Sequence, residues 1–203
     1  MFAQMDEEET KGVLAGELPI ERTERSCFSG LIEELFDQSQ RSGPSTVMVT
    51  SPHRRAGVSF ICSNIAIELA LRGESVVLID AHALLSVREF TSQSATVLCR
   101  RVGPSDLWVL GMEDVRGRST NRQTLASSDV NTKLRELERV FTYVLVDAPA
   151  LSAGRDANIL APSVHGTLMV ARAIQTNDAE LRRACRVLRA AGGLVLGSVF
   201  NLY

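Results

Sequence analysis

The sequence predicts an α/β fold: a doubly wound, mostly parallel sheet with helices on both faces. Three observations carry that prediction. Short apolar runs alternate with helix-length amphipathic stretches. The runs are apolar throughout, as in strands covered on both faces. Strand, helix and strand follow within about 35 residues at Thr46–Asp80, the span of a βαβ unit.

The first run, Thr46–Thr50, reads as a buried strand. A loop follows from Ser51 to Gly57, then a helix over Ser59–Leu71 with Ile61, Ile65, Ala66 and Leu69 inward. Gly73 is a helix stop. Ser75–Asp80 is the second strand and Leu107–Leu110 a short third one. Val130–Phe141 reads as a helix with Leu134, Leu137 and Val140 on its core face, and Tyr143–Asp147 as a strand ending in a carboxylate. Thr167–Ala171 and Leu194–Phe200 are the last strands. Between them Asn177–Ala191 forms an amphipathic helix with Arg182, Arg183, Arg186 and Arg189 outside, a solvated basic face. Ahead of the sheet, Gly30–Gln40 has helical spacing, with Leu31, Leu35 and Phe36 on one side, and Gly43-Pro44 breaks it.

Residues 27–203 thus make one domain. Residues 1–26 are polar, carry the run Asp6-Glu7-Glu8-Glu9, and are expected to be mobile or loosely attached, because they have little apolar surface to bury. A net charge of −2 gives no electrostatic reason to expect a nucleic-acid partner. The N-terminus lacks the pattern of a secretory signal, and no apolar stretch is long enough to span a bilayer. The expected location is the cytoplasm, with any membrane association through a partner. Cys27, Cys62, Cys99 and Cys185 are scattered, which argues for free thiols over a thiolate metal site.

In open parallel sheets, ligands bind at the carboxyl ends of the strands. Three features collect there: the loop Ser51–Ser59, Asp80 and Asp147. A phosphate loop offers successive backbone N–H groups and a helix N-terminus to anionic oxygens; a lysine adds charge, and a Ser or Thr reaches magnesium. Here Gly57 and Ser59 stand where the last Gly and the Ser/Thr belong. Val58 takes the lysine position and Arg55 an earlier glycine position. Asp80 and Asp147 read either as magnesium-side carboxylates or as strand-end caps that accept backbone N–H groups. His53, His82 and His165 each stand alone in sequence, so solvation or simple hydrogen bonding is the expected state of each.

Over Thr46–Asn201 the order of segments resembles the bacterial tyrosine-kinase and capsular-exopolysaccharide family of the deviant-Walker ATPases. Val49–Ser59 sits at the first Walker motif, with Asn64-Ile65-Ala66 after it. Val77–His82 matches the second, family-specific motif and Tyr143–Pro149 the Walker B segment. Asp156-Ala157, Leu160-Ala161-Pro162, Val170-Ala171-Arg172 and Leu196–Asn201 follow in the family's order. The resemblance implies a P-loop NTPase-like fold. It implies nucleotide contacts at Gly57, Ser59, Phe60 and Asn201 and magnesium contacts at Ser59, Asp80 and Asp147, while Arg54 and Arg55 are the side chains that could reach phosphate in place of the lysine. ATP or ADP with magnesium is the cofactor it implies, and the missing lysine counts against that cofactor.

The departures shape the expected function. Val58 replaces the lysine, and His82 replaces the second aspartate of the family-specific motif. The oligomerisation motif falls on Glu34, Asp37 and Gln40, without its two arginines, and the C-terminal tyrosine cluster is absent. The expectation is a catalytically degenerate, regulatory or scaffolding member, with no catalytic residue assigned. Its implied partner is a membrane polysaccharide co-polymerase or export protein, and homo-oligomers are a further expectation. Two rivals stay open: an active kinase or ATPase that uses Arg54 or Arg55 as substitute cation, and a positioning or partitioning ATPase relative.

Overall fold

The computed structural model describes residues 25–36, 45–87, 91–115 and 127–202. Within them lies a seven-stranded sheet in the order β3-β4-β2-β5-β1-β6-β7. Its strands are β1 (Ser45–Thr50), β2 (Val76–Asp80), β3 (Arg100–Val102), β4 (Leu107–Leu110), β5 (Tyr143–Asp147), β6 (Gly166–Arg172) and β7 (Val195–Asn201). All pairings are parallel except β3 on β4. The helices are α1 (Arg25–Leu35), α2 (Val58–Leu71), α3 (Ala81–Ser86), α4 (Ser92–Leu98), α5 (Met112–Val115), α6 (Ser127–Glu138), α7 (Asp156–Leu160) and α8 (Asp178–Ala190).

Each central strand feeds two cores, because successive side chains point to opposite faces. Val76, Leu78, Tyr143 and Leu145 pack with α1 and α2, while Val77, Ile79, Val144 and Val146 pack with α6, α7 and α8. This two-sided burial is why the strand sequences carry no polar alternation. The expected strands β1, β2, β4, β5, β6 and β7 are all present, each within a residue of its expected bounds. Strand β3 gave no readable signal, since it is three residues long and two of them are arginines.

Three helices differ from expectation. Helix α1 starts at Arg25, not Gly30, and ends at Leu35; it begins two residues inside the segment expected to be mobile. Ile32, which the spacing did not single out, is buried there at 3% exposure together with Leu35 and Phe36. Asp37 and Gln40, with Gly43-Pro44 and residues 1–24, lie outside the described residues, while Glu34 is exposed on α1. Helix α2 is buried on nearly all sides rather than on one face, including Cys62, Ser63, Asn64 and Ile67. The reason is α1, which covers its outer side: Phe28 meets Phe60 edge-on at 6.3 Å between ring centres, and the Ser29 hydroxyl donates to Glu68 at 3.3 Å. A helix covered on both sides loses its polar face. Helix α6 spans Ser127–Glu138 and so ends three residues early, leaving Phe141 to pack beyond it against Trp108. Gly73, at φ 89°, follows α2 as expected.

Helix α8 matches its prediction. Asn177 caps its N-terminus through Glu180, and Leu181, Ala184 and Leu188 are buried while its arginines are exposed. No helix among the described residues is long and apolar enough to cross a membrane.

Candidate functional site

The chain leaves β1 between β5 and β6 and turns into α2 at the carboxyl end of the sheet. There the loop Ser51–Gly57 is stitched to the segment after β5. Thr50 Oγ1 donates to Pro149 O at 2.8 Å, Leu151 N to Ser51 O at 2.9 Å, and Ser152 N to Pro52 O at 3.2 Å. Within the loop, Ser51 Oγ donates to the His53 carbonyl at 2.7 Å. The two segments therefore hold each other's backbone polar groups, a fixed frame rather than a free loop.

Two residues of the turn adopt the left-handed region: Arg55 at φ 62° and Gly57 at φ 87°. For Gly57 this is cheap; for Arg55 it costs about 1–2 kcal/mol, because its Cβ crowds the backbone. Arg55 thus holds a conformation that favours glycine. Gly57 is held for a second reason: a Cβ there would lie 2.2 Å from Asn201 Nδ2. That amide comes from the end of β7 and donates to Ala56 O at 3.0 Å. Asn201, expected near a nucleotide, is thereby brought to the loop from 145 residues away.

Gly57 is the N-cap of α2, and no side chain caps its first turn. Such an end favours an anion through its N–H groups and dipole. Val58, in the lysine position, is the first helical residue. The chain has two lysines, Lys11 and Lys133. Lys11 lies outside the described residues. Lys133, overlooked in the sequence, is 2% exposed, and its Nζ donates to Leu84 O at 2.9 Å. Burial holds its pKa down to about 8, against the attraction of Asp129. It closes the C-terminal end of α3 and is committed there. Arg54 and Arg55 are exposed and make no ion pair with the described residues.

Asp80 and Asp147 are register partners on neighbouring strands, so the two carboxylates stand side by side beside the loop. Their environments differ. Asp80 Oδ1 accepts from His82 N at 2.6 Å and Ala83 N at 3.1 Å, capping α3. Asp147 has an enclosed carboxyl group, and burial pushes its pKa up to about 6. The hydrogen bond from the Ser59 hydroxyl opposes that rise, Asp80 adds to it and His82 lowers it. Ser59 and Asp147 are therefore joined, as a magnesium pair would be. Among the described residues no three His, Cys, Asp or Glu side chains gather to hold a metal ion. Magnesium on a nucleotide needs only one or two protein carboxylates. Asp80 accepts both backbone N–H groups through Oδ1 alone, so Oδ2 stays available, and the Ser59–Asp147 pair stands beside it. Carboxylate oxygens and a hydroxyl are the donor types that magnesium takes.

The remaining expected residues divide. Phe60 is half-buried, edge-on to Phe28 and against the core. His82 pairs with Asp156 Oδ2 at 2.8 Å, His165 Nδ1 accepts from Thr46 N at 2.9 Å, and His53 Nε2 lies 3.6 Å from Glu180 Oε2. The His82–Asp156 pair was not foreseen. Its signal was present: a basic residue replaces an acidic one in a motif whose order also includes Asp156.

No family model matches the chain. Among curated proteins, the putative tyrosine-protein kinase CapB of Staphylococcus aureus is 25% identical over 187 residues, covering 86% of this chain and 82% of CapB. The putative tyrosine-protein kinase EpsB of Ralstonia nicotianae is 28% identical over 181 residues, 80% of this chain but only 23% of EpsB. Among solved structures, the kinase domain of the Escherichia coli tyrosine kinase ETK superposes with a TM-score of 0.67 at 20% identity, covering 87% of this chain and 74% of that one. The chimerical protein CapA2B2 gives 0.66 at 17% identity, over 96% and 90%. The septum site-determining protein MinD of Pyrococcus horikoshii, complexed with Mg-ADP, gives 0.58 at 15% identity, over 79% and 71%. The structural likenesses establish the MinD-like P-loop NTPase fold. Taken with the ordered motifs, these comparisons make the chain similar to bacterial tyrosine-protein kinases that carry this fold.

Proposed function

We propose that the chain is a catalytically degenerate member of the bacterial tyrosine-kinase family, a scaffold or regulator of a membrane polysaccharide co-polymerase or export complex. One observation carries the proposal. Val58 opens α2 where a phosphate-loop lysine belongs, and the described lysine is tied 2.9 Å from Leu84 O, inside the helical layer. Phosphoryl transfer depends on positioned positive charge, so this absence removes several kcal/mol of transition-state stabilisation, on the order of the effect of one electrostatic group. The partner class is supported by the resemblance of the ordered motifs to the capsular-exopolysaccharide family, by the similarity to the putative tyrosine-protein kinase CapB and by the likeness to the CapA2B2 chimera. Titration calorimetry with ATP and magnesium, alongside an autophosphorylation assay, tests the reading. Neither binding nor phosphotyrosine is expected; micromolar binding with autophosphorylation overturns it.

A second reading is an active ATPase or kinase. It is favoured by the exposure of Arg54 and Arg55 on the loop and by the retained pair Asp80 and Asp147. Turnover abolished by Arg54→Ala or Asp80→Ala would establish it. A positioning or partitioning ATPase relative is supported by the fold shared with MinD. Dimers that form only with added nucleotide would mark that case.

A further inference from the structure

The two edges of the sheet are built differently. At one end β3 is three residues long and carries Arg100 and Arg101. Short length and charge keep a strand edge from pairing with another chain. At the other end β7 spans seven residues, Val195–Asn201, with no charged residue and no proline. We propose that β7 is an interaction surface for a second copy of this chain, which pairs with it antiparallel across a two-fold axis and joins the two sheets. The inference goes beyond the reading of the chain as degenerate and holds whether or not nucleotide binds.

The backbone defines what a partner must offer. Asn201 O accepts from Ala173 N at 2.8 Å, so the main-chain polar groups of Asn201 turn toward β6. Alternation then turns the N–H and C=O of Ser198 and Phe200 outward, away from β6. No strand among the described residues lies beyond β7 to meet them. An extended chain supplies donors and acceptors at that spacing. The side chains at this edge are small or apolar. Phe200 is 55% exposed, and Leu194 and Leu202, just before and after the strand, are also more than half exposed.

A second copy fits that edge on three counts. The strand is uncharged, so two identical strands meet without like charges opposite each other. Ser198 and Phe200 lie two residues apart on one face of the strand, and both are exposed. Antiparallel pairing with Ser198 opposite Phe200 seats each phenyl ring against the other copy's small serine and sets the two Val199 residues opposite each other on the axis. Finally, the pairing closes: the arginine-bearing β3 at each far end stops the sheet from growing, which makes the assembly a dimer and not a fibre. The arginines of α8 are the opposing feature, since that helix packs beside β7, and salt screens their repulsion between copies. Pairing also holds the outer side of the strand whose last residue, Asn201, donates to Ala56 O in the loop.

Sedimentation velocity of the full chain without nucleotide tests the pairing. An edge pairing is a small interface, so the chain is followed up to about 100 μM, where a dimer is expected. Half-molar NaCl should leave that dimer intact. Phe200→Glu and Ser198→Lys, both at exposed positions, should each weaken it about tenfold, because the two-fold repeats every change. Mixed in equal amounts, the two variants should recover a heterodimer, since the introduced carboxylate then faces the introduced ammonium and the second Ser198–Phe200 pair is unchanged. Hydrogen exchange at the Ser198 and Phe200 amides should slow as protein concentration rises. A monomer at the highest concentration, a dimer that dissociates in salt or forms only with added nucleotide, and a mixture that associates no better than its components each overturn the proposal. Amide protection that is independent of concentration also overturns it, because a segment of the same chain would then occupy the edge. The ATP and phosphotyrosine assays judge the functional reading separately.

Discussion

The loop after β1 and the carboxylates ending β2 and β5 stand side by side at one edge of the sheet, yet they have diverged differently. The loop has the main-chain shape of a glycine-containing turn with other side chains on it. Arg55 holds φ 62° without being glycine, Gly57 is pinned under Asn201, and Val58 replaces the cation. The aspartates have kept their chemical identity and acquired structural tasks. Asp80 caps α3, and Asp147 is enclosed beneath Ser59. Backbone geometry is held by many neighbours at once, whereas the charge at a position depends on one side chain.

The sharpest way to break this contrast is Gly57→Val. A β-branched residue at φ 87° whose Cβ meets the Asn201 amide should cost about 3 kcal/mol or more, read as a lower urea midpoint. If the loop shape were incidental, the midpoint would hardly move.

Next comes Asp147→Asn. The folded pKa of about 6 lies above the unfolded value of 3.8, so the folded state holds the proton more tightly. The stability this contributes is complete below the unfolded pKa and is lost as pH rises through about 6. At pH 7 the ionised, enclosed carboxylate is a cost, and its removal should stabilise the fold by up to about 2 kcal/mol. At pH 4 the gain should nearly vanish. Urea titrations at the two pH values check the sign; equal gains would mean that ionisation is irrelevant.

Asp80→Ala should be smaller and opposite, a loss of about 1 kcal/mol, since it removes the acceptor for His82 N and Ala83 N at the start of α3. The two adjacent aspartates are thus expected to respond with opposite signs at neutral pH. Last, Arg55→Asn should stabilise by about 0.5 kcal/mol, because Asn tolerates the left-handed region better. Differential scanning calorimetry would register this as a small rise in Tm.

Much of the site was legible along the chain, because each part lies in a local pattern. Gly57 and Ser59 sit at fixed offsets in a strand–loop–helix segment, and Asp80 and Asp147 end apolar runs. The parts that escaped are joined across the fold. Lys133 has helical spacing like any surface lysine, and only the packing of α6 on α3 shows that its ammonium closes a helix end. The edge-on contact of Phe60 with Phe28 likewise depends on α1 lying over α2. The expected start of α1 was late because Arg25, Ser26 and Cys27 have no apolar periodicity of their own.

By itself the sequence determined the sheet and its alternation with helices, because a strand buried on both faces must be apolar at every position and that requirement is written residue by residue. It also determined that an apolar residue, Val58, opens the helix after the loop, which is a matter of residue identity. Only the tertiary structure decided how the survivors are used: Asp80 as a cap, Asp147 as an enclosed acid, Asn201 as the brace over Gly57 and His82 as the partner of Asp156. Those roles depend on which groups come within hydrogen-bonding distance and how much water is left between them. Both are set by strand order and packing, not by neighbours along the chain.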